Sequence, residues 1–314
     1  MNILITGAGG DISQSLCQAL RDEGIATKIV GTDLFLDHAG QFYFDSLYQL
    51  PKCSDKEYFE RLEQIILEEK IACIIPGSEP ELEQFLANHS FENKKGVTVI
   101  KANDYALEVG FDKLRTTEFL ASINLPFPKT CLIEDLHFLN QKMVLKPRSG
   151  SGSKEIFITN DNDTLDFIKR KYSNFIAQQY LDAPEEEYTC GVYRSSQGLF
   201  RSIIMRRKLM PGGVTGVGEI VENIEIQKVL EQIALGLNLL GSINVQLRLI
   251  NGVPYVFEIN PRFSSTVLFR HHLGFKDLIW SIQDSKGEAV YTYYPPKTGS
   301  KFYRTYKEFF KIKH

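Results

Sequence analysis

Polar and apolar side chains alternate along two consecutive strands predicted within residues 241–262, which are joined by a tight turn at Asn251-Gly252. Side chains two positions apart on a strand project from the same face. The polar residues that project together are Asn244 and Gln246 on the first strand and Glu258, Asn260 and Arg262 on the second. We expect the apolar residues to fill the buried side: Ile243, Val245, Leu247, Val256, Phe257 and Ile259.

This hairpin presents one carboxylate, three amides and a guanidinium on a single surface. Carboxylate and carbonyl oxygens, together with substrate phosphates, are the ligands that Mg²⁺ prefers. The pattern predicts a magnesium site with an arginine beside it. A plain hairpin with one polar face explains the same alternation, and the two readings have equal weight until the rest of the chain is considered.

Length and composition narrow the class of protein. A chain of 314 residues is long enough for two or three domains. A net charge of -3 gives no indication of a nucleic-acid or membrane-surface partner, and no apolar run approaches the roughly 20 residues of a spanning helix. The first residues read as a strand without signal-peptide features. Five scattered cysteines without a Cys-x-x-Cys pair indicate reduced thiols, so we expect a cytoplasmic protein.

The first hundred residues alternate strands with helices, which predicts a doubly wound parallel sheet. The strands are predicted at 2–6, 28–33, 72–76 and 96–100, and the helices from 13 to about 23, at 55–70 and at 79–89. The glycine turn at 7–10 lacks the G-x-G-x-x-G spacing of a dinucleotide site, with Ser13 near the position of the third glycine. A tight turn lining a substrate site is the favoured interpretation.

Past residue 102 the pattern changes to strands in pairs, with fewer helices. Helices are predicted at 112–122, 163–172, 224–240 and 274–286, strands at 142–146, 155–159, 175–181, 187–194 and 198–206, and an irregular glycine-rich loop at 211–218. The segment 292–314 is basic and aromatic, and we expect it to pack back onto the body rather than to bind lipid or nucleic acid.

A glycine- and serine-rich hairpin at 148–153 follows Lys146, which ends a predicted strand. The hairpin lies between two strands, so it is not the phosphate loop that opens a helix in P-loop enzymes. Glycine still allows backbone N–H groups to approach phosphates, and Lys146 supplies a point charge. Further on, the strand 175–181 offers an apolar slot for adenine, and Glu187 suits ribose hydroxyls. An ordinary hairpin and a solvated acidic turn are the alternatives.

Taken in order, these motifs resemble the ATP-grasp superfamily, in particular the ATP-binding half-domains of the carbamoyl-phosphate synthase large chain and its stand-alone relatives. The motifs are Asp112-Lys113, Lys146 with its hairpin, Gln179-Tyr-Leu181 leading to Glu187-Tyr188, Asn244-x-Gln246 and Glu258-x-Asn260-Pro-Arg262. The resemblance covers about residues 1–290 and implies an α/β fold. It divides the chain into a Rossmann-like pre-ATP-grasp domain (1–101), the two α+β lobes of the grasp fold (102–182 and 183–291) and a tail (292–314).

The resemblance also implies a role for each motif. Lys113 and Lys146 would contact the ATP phosphates. The hairpin that closes over them as a lid consists of Arg148, Ser149, Gly150, Ser151, Gly152 and Ser153. Adenine falls to Gln179, Tyr180 and the Leu181 backbone, and ribose to Glu187, although Gln179 stands where the family commonly has glutamate. Gln246, Glu258 and Asn260 would hold two Mg²⁺ ions, with Mn²⁺ as an alternative, and Asn244 and Arg262 would face the transferring phosphoryl group.

No motif fixes the residues for the second substrate. The candidates are Glu79, in a loop that resembles one bordering the family's active site, and the basic run Arg206, Arg207 and Lys208. A solvated basic strand has equal weight for that run.

The activity that the resemblance implies is an ATP-dependent carboxylate–amine ligase, which activates a small acid as an acylphosphate and transfers it to an amine or amino acid. One alternative is phosphorylation of carbamate, bicarbonate or another small group without amide formation, and another is a non-catalytic nucleotide-binding protein. The expected partners are these small molecules, without nucleic acid or membrane. The sequence says little about the oligomeric state, although the family often forms homodimers through its sheet domains.

Overall fold

A five-stranded parallel sheet occupies the N-terminal part of the chain in the computed structural model, which describes residues 1–89, 91, 96–150 and 155–311. The strands are β1 (Asn2–Thr6), β2 (Lys28–Asp33), β3 (Ser46–Gln49), β4 (Ile71–Ile75) and β5 (Thr98–Val99), in the spatial order β3-β2-β1-β4-β5. The connecting helices are α1 (Asp11–Glu23), α2 (Tyr58–Glu69) and α3 (Glu79–Ala87).

Both faces of this sheet are covered. Ile3 and Ile5 of β1 pack into one hydrophobic cluster with residues of α1, and Leu4 packs into another with residues of α2. The predicted doubly wound parallel sheet is therefore confirmed. The sequence pattern missed β3, because its residues Ser-Leu-Tyr-Gln are only partly buried and give a weak apolar signal.

The carboxyl ends of β1 and β4 meet where the strand order reverses, the position at which open α/β sheets form a crevice. The Gly77 N–H donates to Thr6 Oγ1 at 3.0 Å across this crevice. A Cβ on Gly77 would lie 2.1 Å from Ser13 Oγ, so the close approach requires glycine.

The second sheet is antiparallel and has the order β6-β9-β7-β8. Its strands are β6 (Thr130–Leu132), β7 (Met143–Pro147), β8 (Phe157–Thr159) and β9 (Phe175–Gln179). Leu145 of β7 and Ala177 of β9 pack with Leu165 and Ile168 of the helix Asn162–Lys171. Alternation along the strands then turns Lys146 and Gln178 toward the opposite face.

The third sheet is antiparallel, has six strands and follows the order β14-β13-β10-β11-β12-β15. Its strands are β10 (Glu187–Arg194), β11 (Phe200–Leu209), β12 (Thr215–Ile220), β13 (Gly241–Ile250), β14 (Val253–Asn260) and β15 (Lys301–Tyr303).

Helices cover both faces of this third sheet. The remaining helices, numbered along the chain, are α4 (Asp104–Phe111), α5 (Lys113–Ser122), α6 (Asn162–Lys171), α7 (Ile224–Gly236), α8 (Val267–His272) and α9 (Asp277–Ser285). Residues of α4, α5 and α7 share one core with β10 and β13, so the first two helices of the segment 102–182 pack on the third sheet. The two antiparallel lobes that follow the parallel sheet confirm the predicted fold class.

The glycine-rich segment 211–218, predicted as an irregular loop, continues into strand β12 from Thr215. Two of its glycines serve packing: a Cβ on Gly216 would lie 2.2 Å from Met210 Cγ, and one on Gly218 would lie 2.1 Å from Phe302 Cζ. The predicted helix 274–286 was likewise too long at its start, since Asp277 begins α9 and the separate short helix α8 precedes it.

The tail from residue 292 returns to the body. Lys301–Tyr303 forms β15 and pairs with β12, with Val217 opposite Tyr303. The Phe302 ring stacks on Phe269 with 4.2 Å between centroids, and Phe309 stacks on Phe42 at 4.7 Å. In the part of the chain that the structure describes, no helix has the length and apolarity to cross a membrane.

Candidate nucleotide and metal site

A cavity of about 540 Å³ lies between the second and third sheets and reaches the start of α1. Strands β7, β9, β10, β13 and β14 supply one part of its wall, through residues that include Lys146, Gln178, Glu187, Gln246 and Glu258. We call this part the strand wall. A second part, which we call the loop wall, consists of Asp11 and Ile12, residues 212–215, and residues 264–266.

The oxygen-bearing residues of the predicted hairpin come together on the cavity side. Asn244 pairs with Asn260 and Gln246 with Glu258 in the register of β13 and β14. The register then shifts, so that Leu247 pairs with Val256 and Phe257 is the extra residue of a bulge. Phe257 lines the cavity, and its predicted place on the buried side was wrong because a bulge interrupts the alternation.

The oxygens of this set already have orienting partners. Gln246 Oε1 accepts from Arg207 Nη2 at 2.7 Å, and Asn260 Oδ1 accepts from Arg262 Nη2 at 3.3 Å. Asn244 Oδ1 accepts from Thr189 Oγ1 at 3.1 Å, and it is 1% exposed. Glu258 is partly exposed to the cavity. One carboxylate and amide oxygens facing one space are hard donors of the kind that Mg²⁺ takes.

The described residues contain no group of three or more His, Cys, Asp or Glu side chains placed to hold a metal ion. A cation at Gln246, Glu258 and Asn260 would thus have a single protein carboxylate and would complete its shell with other oxygens. Mg²⁺ usually keeps waters and takes substrate phosphates under such conditions. The donor set therefore fits a nucleotide-bound Mg²⁺ better than a structural metal.

Lys146 lies at the centre of the strand wall and is 6% exposed. Its Nζ donates to Gln178 Oε1 at 2.8 Å and lies 5.9 Å from the centroid of the Phe257 ring. Burial lowers the pKa of Lys146 to about 8, the nearby Glu258 carboxylate raises it, and Lys113 lowers it. These three charges share one cavity, which is the arrangement that a polyphosphate and a cation would neutralise.

Lys113 and the start of the predicted lid meet at the N-terminus of α5. Lys113 Nζ donates to the Gly150 carbonyl at 2.8 Å, and Ser149 and Gly150 line the cavity. Arg148 instead forms an ion pair with Asp112, 2.6 Å from Arg148 Nη2 to Asp112 Oδ2. Asp112 also caps α5 through the Leu114 and Arg115 N–H groups, so Arg148 holds the framework rather than the cavity. Ser151, Gly152 and Ser153 lie outside the described residues.

Glu187 lines the cavity with both carboxylate oxygens engaged by arginines. Arg207 Nε donates to Oε1 at 3.0 Å, and Arg248 Nη2 donates to Oε2 at 2.6 Å. Arg248 Nη1 also donates to the Leu181 carbonyl. Glu187, which is expected to bind ribose, therefore already holds the buried guanidinium of Arg207 and the partly buried one of Arg248. A ribose hydroxyl would share its oxygens with them.

The basic run on β11 splits by strand alternation. Arg207 lines the cavity and is 8% exposed. Arg206 and Lys208 lie on the other face, where Arg206 Nη2 pairs with Glu219 at 3.1 Å and Lys208 Nζ with Glu185 at 2.9 Å. Their assignment to the second substrate is corrected, because their side chains point away from the cavity.

Glu79 and Arg262 connect the N-terminal sheet to the cavity. Arg262 Nε donates to Glu79 Oε1 at 2.8 Å, and Arg262 itself lines the cavity. Glu79 lies behind that arginine, so it orients Arg262 instead of contacting the cavity directly. Gln179, Tyr180 and Leu181 line the cavity as well.

Sequence reasoning missed several residues of the strand wall. Arg248 lies two positions after Gln246 and shares its face, so the period-two rule already pointed to it. Gln178, the only polar residue before Gln179 in the strand Phe-Ile-Ala-Gln-Gln, was the other available signal. The loop wall left no periodic signal, because its residues come from three separate short segments of the chain.

Two family models match this chain. One, described as an ATP-grasp domain, matches residues 111–266, and the other, described as a PylC-like N-terminal domain, matches residues 3–100. A curated relative, the carbamoyl phosphate synthase large chain of Thermoplasma acidophilum, is 26% identical over 275 residues. The match takes in 79% of this chain and 26% of that protein, so the chain spans about a quarter of its length.

Solved structures share the fold. An L-amino acid ligase from Bacillus licheniformis is 19% identical with a TM-score of 0.71, over 90% of this chain and 73% of the ligase. The biotin carboxylase domain dimer of 2-oxoglutarate carboxylase from Hydrogenobacter thermophilus, in complex with MgADP, ADP and bicarbonate, is 16% identical with a TM-score of 0.72. That match covers 96% of this chain and 73% of the domain.

Proposed function

Since this chain belongs to the ATP-grasp family, we propose that it is an ATP- and Mg²⁺-dependent carboxylate–amine ligase. The observation that carries the proposal is the shared cavity: Lys113 and Lys146 face it together with the oxygens of Gln246, Glu258 and Asn260. Cations for a triphosphate and donors for its metal thus meet at one place. The likeness in fold to an L-amino acid ligase supports the choice of reaction.

ATP binds with its phosphates toward Lys113, Lys146 and the Ser149-Gly150 backbone. The apolar part of the cavity, lined by Val144, Ile156, Ile158, Leu181 and Phe257, receives adenine. The Leu181 carbonyl is already an acceptor for Arg248, so the Leu181 N–H is the group for the base. Glu187, fixed by Arg207 and Arg248, orients the ribose.

Gln246, Glu258 and Asn260 would hold two Mg²⁺ ions, which would neutralise charge on the phosphate oxygens during phosphoryl transfer. Arg207 donates to Oε1 of Gln246 and so orients the amide, which leaves the second lone pair of that oxygen for a metal ion. Arg262, fixed by Glu79, presents its remaining N–H groups to the reacting centre. Such preorganised donors stabilise charge that develops during acyl transfer.

The reaction has two steps. The substrate carboxylate oxygen attacks the γ-phosphorus of ATP, the bond to the β,γ-bridging oxygen breaks, and an acylphosphate and ADP form. The amine then attacks the acyl carbon, loses a proton, and expels inorganic phosphate to leave an amide. Phosphoryl transfer of this kind depends on positioning and charge neutralisation, and it requires no side-chain nucleophile.

The test is a screen of small acids and amines with inorganic phosphate release and ADP formation as readouts. The proposal predicts ADP release that requires both an acid and an amine, with the amide detected by mass spectrometry. Release of ADP without amine, and without amide, would favour the alternative of carbamate or bicarbonate phosphorylation, which the match to a carbamoyl phosphate synthase supports. ADP release in no mixture would leave a non-catalytic nucleotide-binding protein.

A further inference from the structure

One arginine in the tail contacts all three segments of the loop wall. Arg304 Nη1 lies 3.4 Å from Asp11 Oδ2 at the start of α1, and Arg304 Nε donates to the Thr215 carbonyl at 3.0 Å. Arg304 Nη2 donates to the Ser265 carbonyl. Asp11, Thr215 and Ser265 each line the cavity. A single guanidinium thereby joins the start of α1 to two segments that lie more than two hundred residues later in the sequence.

The tail holds Arg304 in this place. Its backbone N–H donates to the Gly216 carbonyl at 2.7 Å, directly after β15 has paired with β12. Phe302 is buried against Phe269, and the Arg304 guanidinium lies 5.0 Å from the centroid of the same Phe269 ring. Backbone pairing and the contact with the Phe269 ring restrict the arginine, which lowers the conformational entropy that its hydrogen bonds cost.

The chemistry of the contacts suits arginine and not a generic cation. Two of the three partners are backbone carbonyls and one is a carboxylate, and they lie on different sides of a planar group with five N–H donors. A lysine ammonium is a compact point charge, and its three donors cannot span partners that a guanidinium reaches with separate nitrogens. The Thr215 carbonyl belongs to the first residue of β12, and the Ser265 carbonyl belongs to a turn.

Residue 304 lies outside both family matches, 3–100 and 111–266. We propose that Arg304 is a positioning residue that clamps the three segments of the loop wall, and so fixes the part of the cavity that receives the non-nucleotide substrate. The clamp itself is a property of the folded chain. Its consequence for substrate rests on the proposed ligase function.

Hydrogen–deuterium exchange on the full-length protein tests the clamp without a substrate. The variant Arg304→Met keeps an apolar stem over Phe269 and removes the donors. We expect exchange at least about 10-fold faster in peptides that cover 212–216 and 264–267, with exchange in β1 and β10 unchanged, because local opening need not lower the stability of core strands. Arg304→Lys should restore part of the protection, since it keeps the charge next to Asp11.

The matched control is Lys307→Met, which removes a tail cation that packs over Phe309 and leaves Arg304 in place. Its exchange at 212–216 and 264–267 should equal that of the unchanged protein. Equal exchange in Arg304→Met would overturn the clamp. Faster exchange throughout the molecule would also overturn it, because that outcome indicates general destabilisation.

Binding of MgATP separates the clamp from the proposed function. The dissociation constant of MgATP should change less than about 2-fold in Arg304→Met, since the strand wall keeps its contacts. A 10-fold loss of MgATP affinity would contradict a role confined to the loop wall. If the unchanged protein binds no MgATP at all, the proposed function fails, whereas the exchange result still decides the clamp.

Discussion

The strand wall and the loop wall of the cavity are built in different ways. In the strand wall, the polar side chains project from paired strands, and several are held by another side chain: Lys146 by Gln178, Gln246 by Arg207, and Glu187 by Arg207 and Arg248. In the loop wall, contacts run from one arginine to the backbone carbonyls of Thr215 and Ser265 and to the Asp11 carboxylate. The strand wall thus holds its side chains through the register of its sheets. In the loop wall, an arginine from the C-terminal tail holds separate backbone segments together.

This difference separates the two tasks of the proposed reaction. Nucleotide and metal are the same in every turnover of every such ligase, and a strand framework holds their ligands with little freedom. The second substrate distinguishes one ligase from another, and turns tolerate changes of sequence and length that strands do not. The loop wall is therefore where we expect the specificity of this protein to be determined.

The largest expected effect concerns the only carboxylate among the three metal donors. Glu258→Gln keeps the size and hydrogen-bonding shape of the side chain and removes its charge. We predict that ADP formation falls at least about 100-fold, because the neutral donors that remain hold a divalent cation poorly where charge develops. The thermal unfolding midpoint should stay close to that of the unchanged protein. ADP formation is the measurement.

Glu231→Gln is the control for that variant, since Glu231 lies exposed on α7, away from the cavity. It should keep full turnover. Undiminished turnover in Glu258→Gln would contradict the assignment of metal binding to the strand wall.

Lys146 gives the strand wall a pH dependence. Its pKa of about 8 lies below the roughly 10.4 of a free lysine. Between these two values the unfolded chain binds more protons than the folded protein, so this group makes the folded state more stable as pH rises through that window. Phosphate binding favours the charged form, so the affinity for ATP should fall as pH rises above about 8. Titration calorimetry from pH 7 to 9.5 measures the trend.

In Lys146→Met we predict ATP affinity reduced at least about 10-fold at pH 7, with the decline above pH 8 abolished, since loss of one charge-assisted contact to phosphate exceeds about 1.4 kcal/mol. Lys171→Met, which changes an exposed lysine at the end of α6, should keep both the affinity and its pH trend. A pH trend that persists in Lys146→Met would assign it to another group.

Two adjacent arginines on β11, Arg207 in the cavity and Arg206 on the surface, should differ in their contribution to the free energy of unfolding. Arg207→Met removes buried donors from Glu187 and Gln246, although Arg248 still compensates the carboxylate. We predict a loss of about 2 kcal/mol in the free energy of unfolding. Arg206→Met breaks a half-exposed pair with Glu219 and should cost less than about 0.5 kcal/mol, because surface ion pairs contribute little. Urea unfolding measures both, and equal losses would contradict the difference in burial.

The two walls also differ in how far the sequence predicts them. The period-two rule placed Asn244, Gln246, Glu258 and Asn260 on one face without any structure, because a strand repeats its direction every second residue. The same rule failed at Phe257, where a bulge inserts one residue, and bulges leave no reliable mark in a single sequence. On β11 the rule separates Arg207 from Arg206 and Lys208, but only once the phase of the strand is known.

The loop wall is different because nothing local encodes it. Asp11 and Arg304 are 293 positions apart, and no periodicity or turn signal relates them. The segment 211–218 looked irregular because of its glycines, whereas Gly218 makes room for Phe302, which only the tertiary structure brings near. Strands carry their own geometry in sequence, and contacts between turns require the whole fold.

The smallest expected effect is on the free energy of unfolding, and it concerns two buried threonines, one in each wall. Thr189 Oγ1 donates to Asn244 Oδ1 in the strand wall, whereas Thr215 Oγ1 in the loop wall is buried without a hydrogen-bond partner among the described residues. Valine has the same shape and removes only the hydroxyl. We predict that Thr189→Val lowers the free energy of unfolding by about 1 kcal/mol, and that Thr215→Val leaves it unchanged or raises it by up to about 1 kcal/mol, because an unpaired buried hydroxyl is itself a cost.

Urea unfolding of the two variants, side by side, checks the sign. The Thr215 hydroxyl lines the loop wall and is available to the non-nucleotide substrate. Because the nucleotide is assigned to the strand wall, Thr215→Val should retain the affinity for MgATP. If Thr215→Val proves less stable than Thr189→Val, the Thr215 hydroxyl has a partner within the protein, and the loop wall would be as fully satisfied as the strand wall before any substrate binds.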